Sequence, residues 1–136
     1  MKTNSKNAYF FDMDGVLFDS MPRHAIAWEE VMNQHGLPFT ARDCYINEGR
    51  TGDSVIREAF QKALGRDATQ EEVKEIYAEK SAYYNQLLET ITPTIPGVAE
   101  VLQFVKDCGS QIWVVTGSGM RTLLDSPSTV FPSSFQ

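Results

Sequence analysis

The fold of this chain is decided by one stretch, Phe10-Phe11-Asp12-Met13-Asp14-Gly15-Val16-Leu17-Phe18-Asp19-Ser20. The apolar run that leads into it, residues 8–11, predicts a buried strand. Two carboxylates, Asp12 and Asp14, follow two residues apart, and in a strand such residues point to the same side. Gly15 allows the backbone to turn sharply away. We therefore expect both carboxylates to face one site at the carboxyl end of a strand, where open α/β sheets bind their ligands.

The two carboxylates also indicate the chemistry of that site. Like charges placed close together repel each other unless they share a proton or a cation. A Mg²⁺ site in which one carboxylate also acts as the nucleophile accounts for the pair most simply. An ordinary turn or a calcium loop is the alternative. An EF-hand loop, however, would need an oxygen ligand at Val16 and a glutamate where Arg23 stands.

Composition limits the classes of protein to which the chain can belong. It has 136 residues, 42% of them hydrophobic, which suffices for a folded core. The net charge of −6 argues against non-specific nucleic-acid binding, which needs a basic surface. The sequence contains no run of about 18 apolar residues, so no membrane-spanning helix is expected. Cys44 and Cys108 are interpreted as buried thiols of a reducing compartment, and the first residues lack the apolar region of a secretory signal, so we expect a cytoplasmic protein.

The middle of the chain has the pattern of helices. Apolar residues recur at helical spacing up to a stop at Gly36, and a short helix is predicted after Thr40. A third helix is expected to end at Gly65, and Thr69-Gln70-Glu71-Glu72 is a capping box that begins a long fourth helix. The predicted buried positions include Ala25, Ile26, Trp28, Val31 and Met32 in the first helix, and Val73, Ile76, Tyr77, Lys80 and Tyr84 in the fourth.

A core helix and a second strand are predicted after this helical segment. The helix carries Val98, Val101, Leu102 and Val105 on one face and is expected to end at Gly109. The run 112–115 predicts a second buried strand, which leads into Thr116-Gly117-Ser118.

The quoted stretch resembles the first motif of the haloacid dehalogenase (HAD) phosphohydrolase superfamily, most closely its β-phosphoglucomutase-like branch. Val114-Val115-Thr116-Gly117-Ser118 is similar to the second motif of the same family. The resemblance implies an α/β, Rossmann-like core made of residues 1–20 and 91–136. It also implies that residues 21–90 form an inserted, all-helical cap.

The resemblance also assigns roles to residues. It implies that Asp12 is the nucleophile that becomes an aspartyl phosphate, and that Asp14 is the general acid and base. Both would bind Mg²⁺. Thr116, Gly117 and Ser118 would hold the phosphoryl oxygens, since glycines allow the backbone to approach a phosphate and a helix amino terminus attracts it.

The chain departs from the family after the second motif. Beyond Thr116 the sequence contains one acid, Asp125, and one basic residue, Arg121, and no lysine. The family's third motif supplies a lysine and its fourth supplies further acids that hold Mg²⁺. Two strands are predicted where a doubly wound sheet has five or six. We therefore expect an incomplete core, from a truncated product, a fragment or a variant, which could self-associate through its uncovered sheet edge.

Three further residues are candidates for substrate specificity in the cap. In the family, the loop after the second cap helix selects the substrate, and here that loop is Glu48-Gly49-Arg50-Thr51-Gly52. Arg50 could grip a second phosphate, and Glu48 could reach the metal or its waters, which would favour pyrophosphate over a sugar phosphate. The alternative is that both are surface residues. His24 lies where the family often has a histidine, although a solvated surface position is the simpler interpretation.

These observations leave several functions open. The leading interpretation is a Mg²⁺-dependent hydrolase of phosphate esters or small phosphate anions, whose partner is a small phosphorylated metabolite or pyrophosphate. The alternatives are a β-phosphoglucomutase-like phosphomutase, a pyrophosphatase, and an inactive fragment or partner-binding remnant.

Overall fold

The computed structural model describes residues 7–88 and 94–117. Within them the chain forms, in order, β1 (Ala8–Phe11), α1 (Met21–Gln34), α2 (Ala41–Ile46), α3 (Gly52–Leu64), α4 (Gln70–Leu87), α5 (Val98–Asp107) and β2 (Gln111–Val114). The chain divides into two compact units: a sheet unit, Met1–Ser20 with Ile91–Gln136, and a helical unit, Met21–Thr90. The predicted α/β architecture with helices inserted between two strands is confirmed. No helix in the described part of the chain is long and apolar enough to cross a membrane.

Local signals set the ends of the helices. A capping box begins α2, because Thr40 Oγ accepts the Asp43 N–H while the Asp43 carboxylate accepts the Thr40 N–H. Thr69 and Glu72 begin α4 in the same way. Gly65 ends α3 in the left-handed region at a φ of 66°, which glycine adopts without strain. These ends lie where the sequence predicts them.

The helical unit contains a hydrophobic core to which α1, α2, α3 and α4 contribute. Two residues expected to be buried are exposed instead, since Ile26 is 49% exposed and Tyr77 is 36% exposed. Ile26 is two positions from both His24 and Trp28, which are buried, and two positions correspond to opposite sides of an α-helix. The core comprises Ala25, Trp28, Val31, Met32, Leu37, Phe39, Cys44, Val55, Ile56, Ala59, Phe60, Ala68, Val73 and Ile76.

The sheet unit pairs β1 with β2 in parallel, with Phe11 opposite Val114. Both strands were expected to be buried, yet their residues are exposed or half-buried, and Phe10 is 67% and Trp113 52% exposed. An apolar pattern predicts the strand, but burial also needs covering elements. In the described residues the sheet has two strands, and α5 contacts β2.

Two smaller expectations also differ from the structure in and near α5. Leu102 and Val105 are buried as expected, whereas Val101 is 49% exposed. Cys44 is buried, but Cys108 is exposed just after the end of α5. Burial raises the pKa of the Cys44 thiol to about 11, which keeps it protonated and unreactive at neutral pH.

Candidate active site

The first candidate carboxylate directly follows β1. The strand ends at Phe11, so Asp12 and Asp14 lie in the turn beyond it. The alternation of side chains along a strand, from which their common orientation was predicted, therefore does not extend to them. Asp12 is exposed, and its Oδ1 accepts the Met13 N–H at 2.7 Å. Gly15 has a φ of 73° and donates its N–H to Phe18 O at 2.8 Å. A tight turn therefore holds both carboxylates at the carboxyl end of β1.

Buried side chains fix this turn to the sheet unit. Met13, Leu17 and Phe18 are at most 1% exposed. Leu17 and Phe18 both donate their N–H to Met13 O, at 3.0 and 3.1 Å. The returning chain adds a further bond, from Ile95 N–H to Leu17 O at 3.0 Å. The apolar residues of the motif thus anchor the loop that carries the acids.

Ser20 belongs to the candidate site although the sequence analysis assigned it no role. Its side chain is fully buried, and its hydroxyl donates to Asp14 Oδ1 at 2.5 Å. A hydroxyl that donates to a carboxyl oxygen limits the rotation of the carboxyl group. The signal was present in the sequence, since Ser20 ends the same stretch that contains Asp14.

The described part of the second motif lies beside the first, at the carboxyl ends of the two parallel strands. Phe11 pairs with Val114, and the Val115 N–H donates to Phe11 O at 2.8 Å. Thr116, half-buried, and Gly117, exposed, therefore follow β2 where Asp12 follows β1. Among the described residues, a Cβ added to Gly117 would meet no heavy atom within 4 Å, so none of them blocks the approach to the backbone there. Ser118 lies outside the described residues.

The possible metal ligands at the carboxyl ends of the two strands are oxygen atoms of carboxylate and hydroxyl groups, and Mg²⁺ prefers oxygen ligands in proteins. The described residues contain no group of three or more His, Cys, Asp or Glu side chains that could hold a metal. Asp12 and Asp14 therefore fit part of a magnesium coordination shell and not a complete one.

In the helical unit, Arg50 and Glu48 occupy the loop between α2 and α3. Arg50 donates to Asn47 Oδ1 at 2.6 Å and to Ser54 O at 3.1 Å, and it forms an ion pair with Glu58. Hydrogen bonds from Lys62 and Arg50 lower the pKa of Glu58 to about 2. Glu48 is exposed. These contacts hold Arg50 against α3 and the start of its own loop, so binding a phosphate would require its guanidinium to leave them.

His24 is buried in the helical unit, so its interpretation as a solvated surface residue is wrong. It is 8% exposed, and its Nδ1 lies 2.8 Å from Lys80 Nζ. An ammonium group only donates, so Nδ1 accepts this bond. The imidazole stacks on the ring of Tyr84, with centroids 4.1 Å apart. Lys80 lies 4.9 Å from the Tyr84 ring centroid and 5.2 Å from that of Trp28, which gives the buried ammonium two cation–π contacts.

Two acids after one parallel strand, beside a hydroxyl and a glycine after its neighbour, lie where open α/β sheets bind their ligands. Comparison with known families identifies the class of protein. The model of the haloacid dehalogenase-like hydrolases matches residues 6–124. This chain therefore belongs to the haloacid dehalogenase-like hydrolase family.

The chain is similar to curated relatives and to solved structures. It is 31% identical over 122 residues to a phosphorylated carbohydrates phosphatase from Thermotoga maritima, covering 87% of this chain and 53% of that protein. It is 28% identical over 115 residues to a phosphoglycolate phosphatase from Haemophilus influenzae, covering 82% and 51%. A structure from Bacteroides vulgatus, assigned as a β-phosphoglucomutase, is 41% identical with a TM-score of 0.86, covering 99% of this chain and 54% of that one.

The matches cover only part of each relative. The chain spans about half the length of the curated relatives it matches. The parallel pair of strands and the helices inserted between them agree with the part of the family fold that it covers.

Proposed function

We propose that this chain supplies the nucleophile-bearing part of a Mg²⁺-dependent HAD phosphohydrolase that acts on a small phosphorylated metabolite. In this proposal the helical unit is the cap, and the sheet unit is part of the catalytic core. The observation that supports it best is the register between β1 and β2, because Asp12 and Thr116 follow the carboxyl ends of these two paired strands. The names of the relatives, which include phosphatases of phosphorylated carbohydrates and of phosphoglycolate, support the substrate class.

The proposed reaction has two steps, and Asp12 is the nucleophile in the first. A carboxylate oxygen of Asp12 forms a bond to phosphorus while the bond from phosphorus to the leaving oxygen breaks. Asp14 gives its proton to that oxygen. In the second step Asp14 accepts a proton from water, which attacks the phosphorus, so that inorganic phosphate leaves and the Asp12 carboxylate is restored.

The surrounding residues position and neutralise the phosphoryl group. The Thr116 hydroxyl and the backbone around Gly117 and Ser118 would hold its oxygens. Ser20 orients Asp14 through the bond described above. The Asp12 carboxylate and the Asp14 backbone carbonyl would hold Mg²⁺, which when bound neutralises negative charge on the nucleophile and the phosphoryl group.

A phosphomutase is the second candidate, and the similarity to the Bacteroides vulgatus structure favours it. A mutase returns the phosphoryl group to another hydroxyl of the sugar instead of transferring it to water. Product analysis with a hexose 1-phosphate separates the two, because hydrolysis releases inorganic phosphate and isomerisation yields the 6-phosphate.

The nucleophile assignment is tested by Asp12→Asn and Asp14→Asn. Phosphate release from p-nitrophenyl phosphate is measured with and without Mg²⁺, in this chain and in a version extended by the second half of the Bacteroides vulgatus relative. We expect Asp12→Asn to abolish activity, because an amide is a poor nucleophile. Asp14→Asn should lower kcat by about 10²–10⁴-fold, the usual contribution of general acid–base catalysis.

The matched control is Asp107→Asn, which changes an exposed acid at the end of α5 in the same unit. This variant should keep the activity of the parent protein. Turnover of the Asp12→Asn protein at the parent rate would contradict the mechanism.

A further inference from the structure

Gly52, the first residue of α3, lies against two aromatic rings of the helical unit. A Cβ added at this position would overlap Tyr77 Cε2, and it would lie 2.6 Å from Tyr77 Cδ2 and 3.4 Å from Trp28 Cη2. Non-bonded carbon atoms attract each other best at about 3.5–4.0 Å, so a larger side chain fits only if the Tyr77 ring moves. We call Trp28 and Tyr77 the aromatic notch.

Space, and not backbone conformation, accounts for the glycine at position 52. Gly49 in the preceding loop has a φ of 82°, which favours glycine, and a Cβ added there would meet no described heavy atom within 4 Å. Gly52 is helical and has no positive φ. Alanine would favour the helix by up to about 1 kcal/mol, so glycine lowers helix stability here and allows the close contact with Tyr77.

The aromatic notch is itself fixed to the hydrophobic core. Trp28 belongs to that core, and its ring centroid lies 6.2 Å from that of Phe39. The Tyr77 ring is inclined at 60° to the Trp28 ring, with centroids 6.3 Å apart. Tyr77 is half-exposed, yet its Cδ2 and Cε2 atoms face Gly52. The Tyr77 ring therefore contacts both the core and the start of α3.

Hydrogen bonds join the loop before Gly52 to the first turns of α3. Thr51 Oγ accepts the Ser54 N–H at 3.3 Å, and Ser54 Oγ donates to Thr51 O at 2.9 Å. Arg50 donates to Ser54 O at 3.1 Å and forms its ion pair with Glu58, which is also on α3. A displacement of Gly52 would therefore displace Thr51 and Arg50 with it.

We propose that the contact between Gly52 and the aromatic notch fixes the position of residues 48–51 and thereby controls which phosphorylated substrate the cap accepts. Glu48 and Arg50 are exposed and place opposite charges on this short segment, so its position decides which substrate groups they attract or repel. Gly52 and Tyr77 act through this segment and are positioning residues. The proposal rests on the proposed function, in which the helical unit is the cap.

The first test is hydrogen exchange of the Arg50 amide in this chain, followed by NMR without substrate or metal. This N–H donates to Asn47 O at 3.1 Å. Gly52→Ala and Tyr77→Ala should each raise its exchange rate about tenfold, because each removes the contact that holds the loop. Tyr77→Phe should keep the parent rate, because ring carbons and not the hydroxyl contact Gly52. The control is Tyr83→Ala, which truncates another partly buried tyrosine of α4 and should leave the rate within about twofold.

The double variant, Gly52→Ala with Tyr77→Ala, separates a direct contact from two independent effects. If the added methyl group meets the Tyr77 ring, Gly52→Ala should cause no further increase in exchange once that ring is removed. Independent effects would multiply to about a hundredfold increase, which would overturn the proposal. If Gly52→Ala alone does not fold, recovery of folding in the double variant supports the proposal. Failure of the double variant where Tyr77→Ala folds overturns it.

The second test measures substrate choice in the protein extended by the second half of the Bacteroides vulgatus relative. Gly52→Ala should change the ratio of kcat/KM for pyrophosphate to that for a hexose 1-phosphate by about tenfold or more, and Tyr83→Ala should leave this ratio unchanged. The change should be larger in KM than in kcat, because the proposed chemical step uses Asp12 and Asp14 of the sheet unit.

The outcomes of the two tests separate the proposal from the function on which it rests. An Arg50 exchange rate that Gly52→Ala leaves unchanged overturns the proposal, as does faster exchange with an unchanged ratio of kcat/KM. Equal changes for Gly52→Ala and Tyr83→Ala would show that the contact only stabilises the helical unit, and they also overturn it. An extended parent protein that releases no phosphate contradicts the proposed function, and the exchange rates then decide whether the aromatic notch positions the loop.

Discussion

At the residue scale, Ser20 links a buried hydroxyl to Asp14, the carboxylate that we propose as the general acid and base. Its bond to Asp14 is formed inside the sheet unit, where the side chain of Ser20 is fully buried. Removing one partner of a buried hydrogen bond costs about 1–3 kcal/mol. Ser20→Ala should therefore lower the free energy of unfolding by about that amount in urea titrations. Ser54→Ala removes a hydroxyl that donates to Thr51 O at 2.9 Å on the surface, and it should cost about 0.5 kcal/mol or less. Equal losses for the two variants would show that the Ser20 bond has no special weight.

Glu48 provides a second prediction at this scale, on substrate choice. If this exposed carboxylate reaches the metal or its waters, it occupies space that a hexose needs and favours pyrophosphate. In the protein extended by the second half of the Bacteroides vulgatus relative, Glu48→Ala should lower kcat/KM for pyrophosphate relative to hexose phosphates by about tenfold or more, about 1.4 kcal/mol. Glu75→Ala changes an exposed acid on α4 and is the control. An unchanged ratio for Glu48→Ala would identify Glu48 as a surface residue.

The sequence predicts some of the candidate site because neighbouring residues in the chain form it. Asp12, Asp14 and Gly15 belong to one motif, and their turn depends on bonds within it. The pairing of His24 with Lys80 joins positions 56 residues apart, and no local pattern specifies it. The Ser20 bond is short in sequence but depends on how the turn folds back.

At the scale of the elements, the ion pair that begins α4 gives a pH-dependent prediction. A hydrogen bond from the Arg66 side chain lowers the pKa of Glu72 from 4.5 to about 2, and a hydrogen bond from the Thr69 N–H has the next largest effect in the same direction. A lowered folded-state pKa stabilises the protein above pH 4.5, and this contribution is lost as the pH falls toward about 2. Glu72→Gln can keep the capping box and removes the charge.

The Tm difference between wild type and Glu72→Gln should therefore have its full value at pH 7 and fall toward zero as the pH falls from 4.5 to about 2. Thermal unfolding followed by circular dichroism at several pH values measures it. The control is Glu71→Gln, an exposed acid in the same first turn. A difference between wild type and Glu72→Gln that stays constant down to pH 2 would contradict this account.

The elements also show where sequence prediction stops. Helix ends are set by caps and glycines a few residues away, so the ends of α2, α3 and α4 agree with the sequence. The positions of β1 and β2 agree as well. Their burial does not, because apolar side chains such as Phe10 and Trp113 are buried only when other elements cover them.

At the scale of the whole molecule, apolar burial is distributed unequally between the two units. The helical unit has a continuous core that includes Trp28, Met32 and Ile76, whereas the strands of the sheet unit are exposed or half-buried. Local opening is easiest where few apolar contacts must be broken. We therefore expect the sheet unit to open more often than the helical unit.

Native-state hydrogen exchange measures this difference. The Gln111 and Val115 amides, which are bonded across the two strands, should exchange at least about tenfold faster than the amides of Trp28 and Met32 in α1. The two strand amides provide their own internal control, because each already has a hydrogen bond of 2.8 Å. Fast exchange there would reflect opening of the sheet unit and not a missing bond. Equal protection in the two units would contradict this expectation, because it would show that the sheet unit opens no more often than the helical unit.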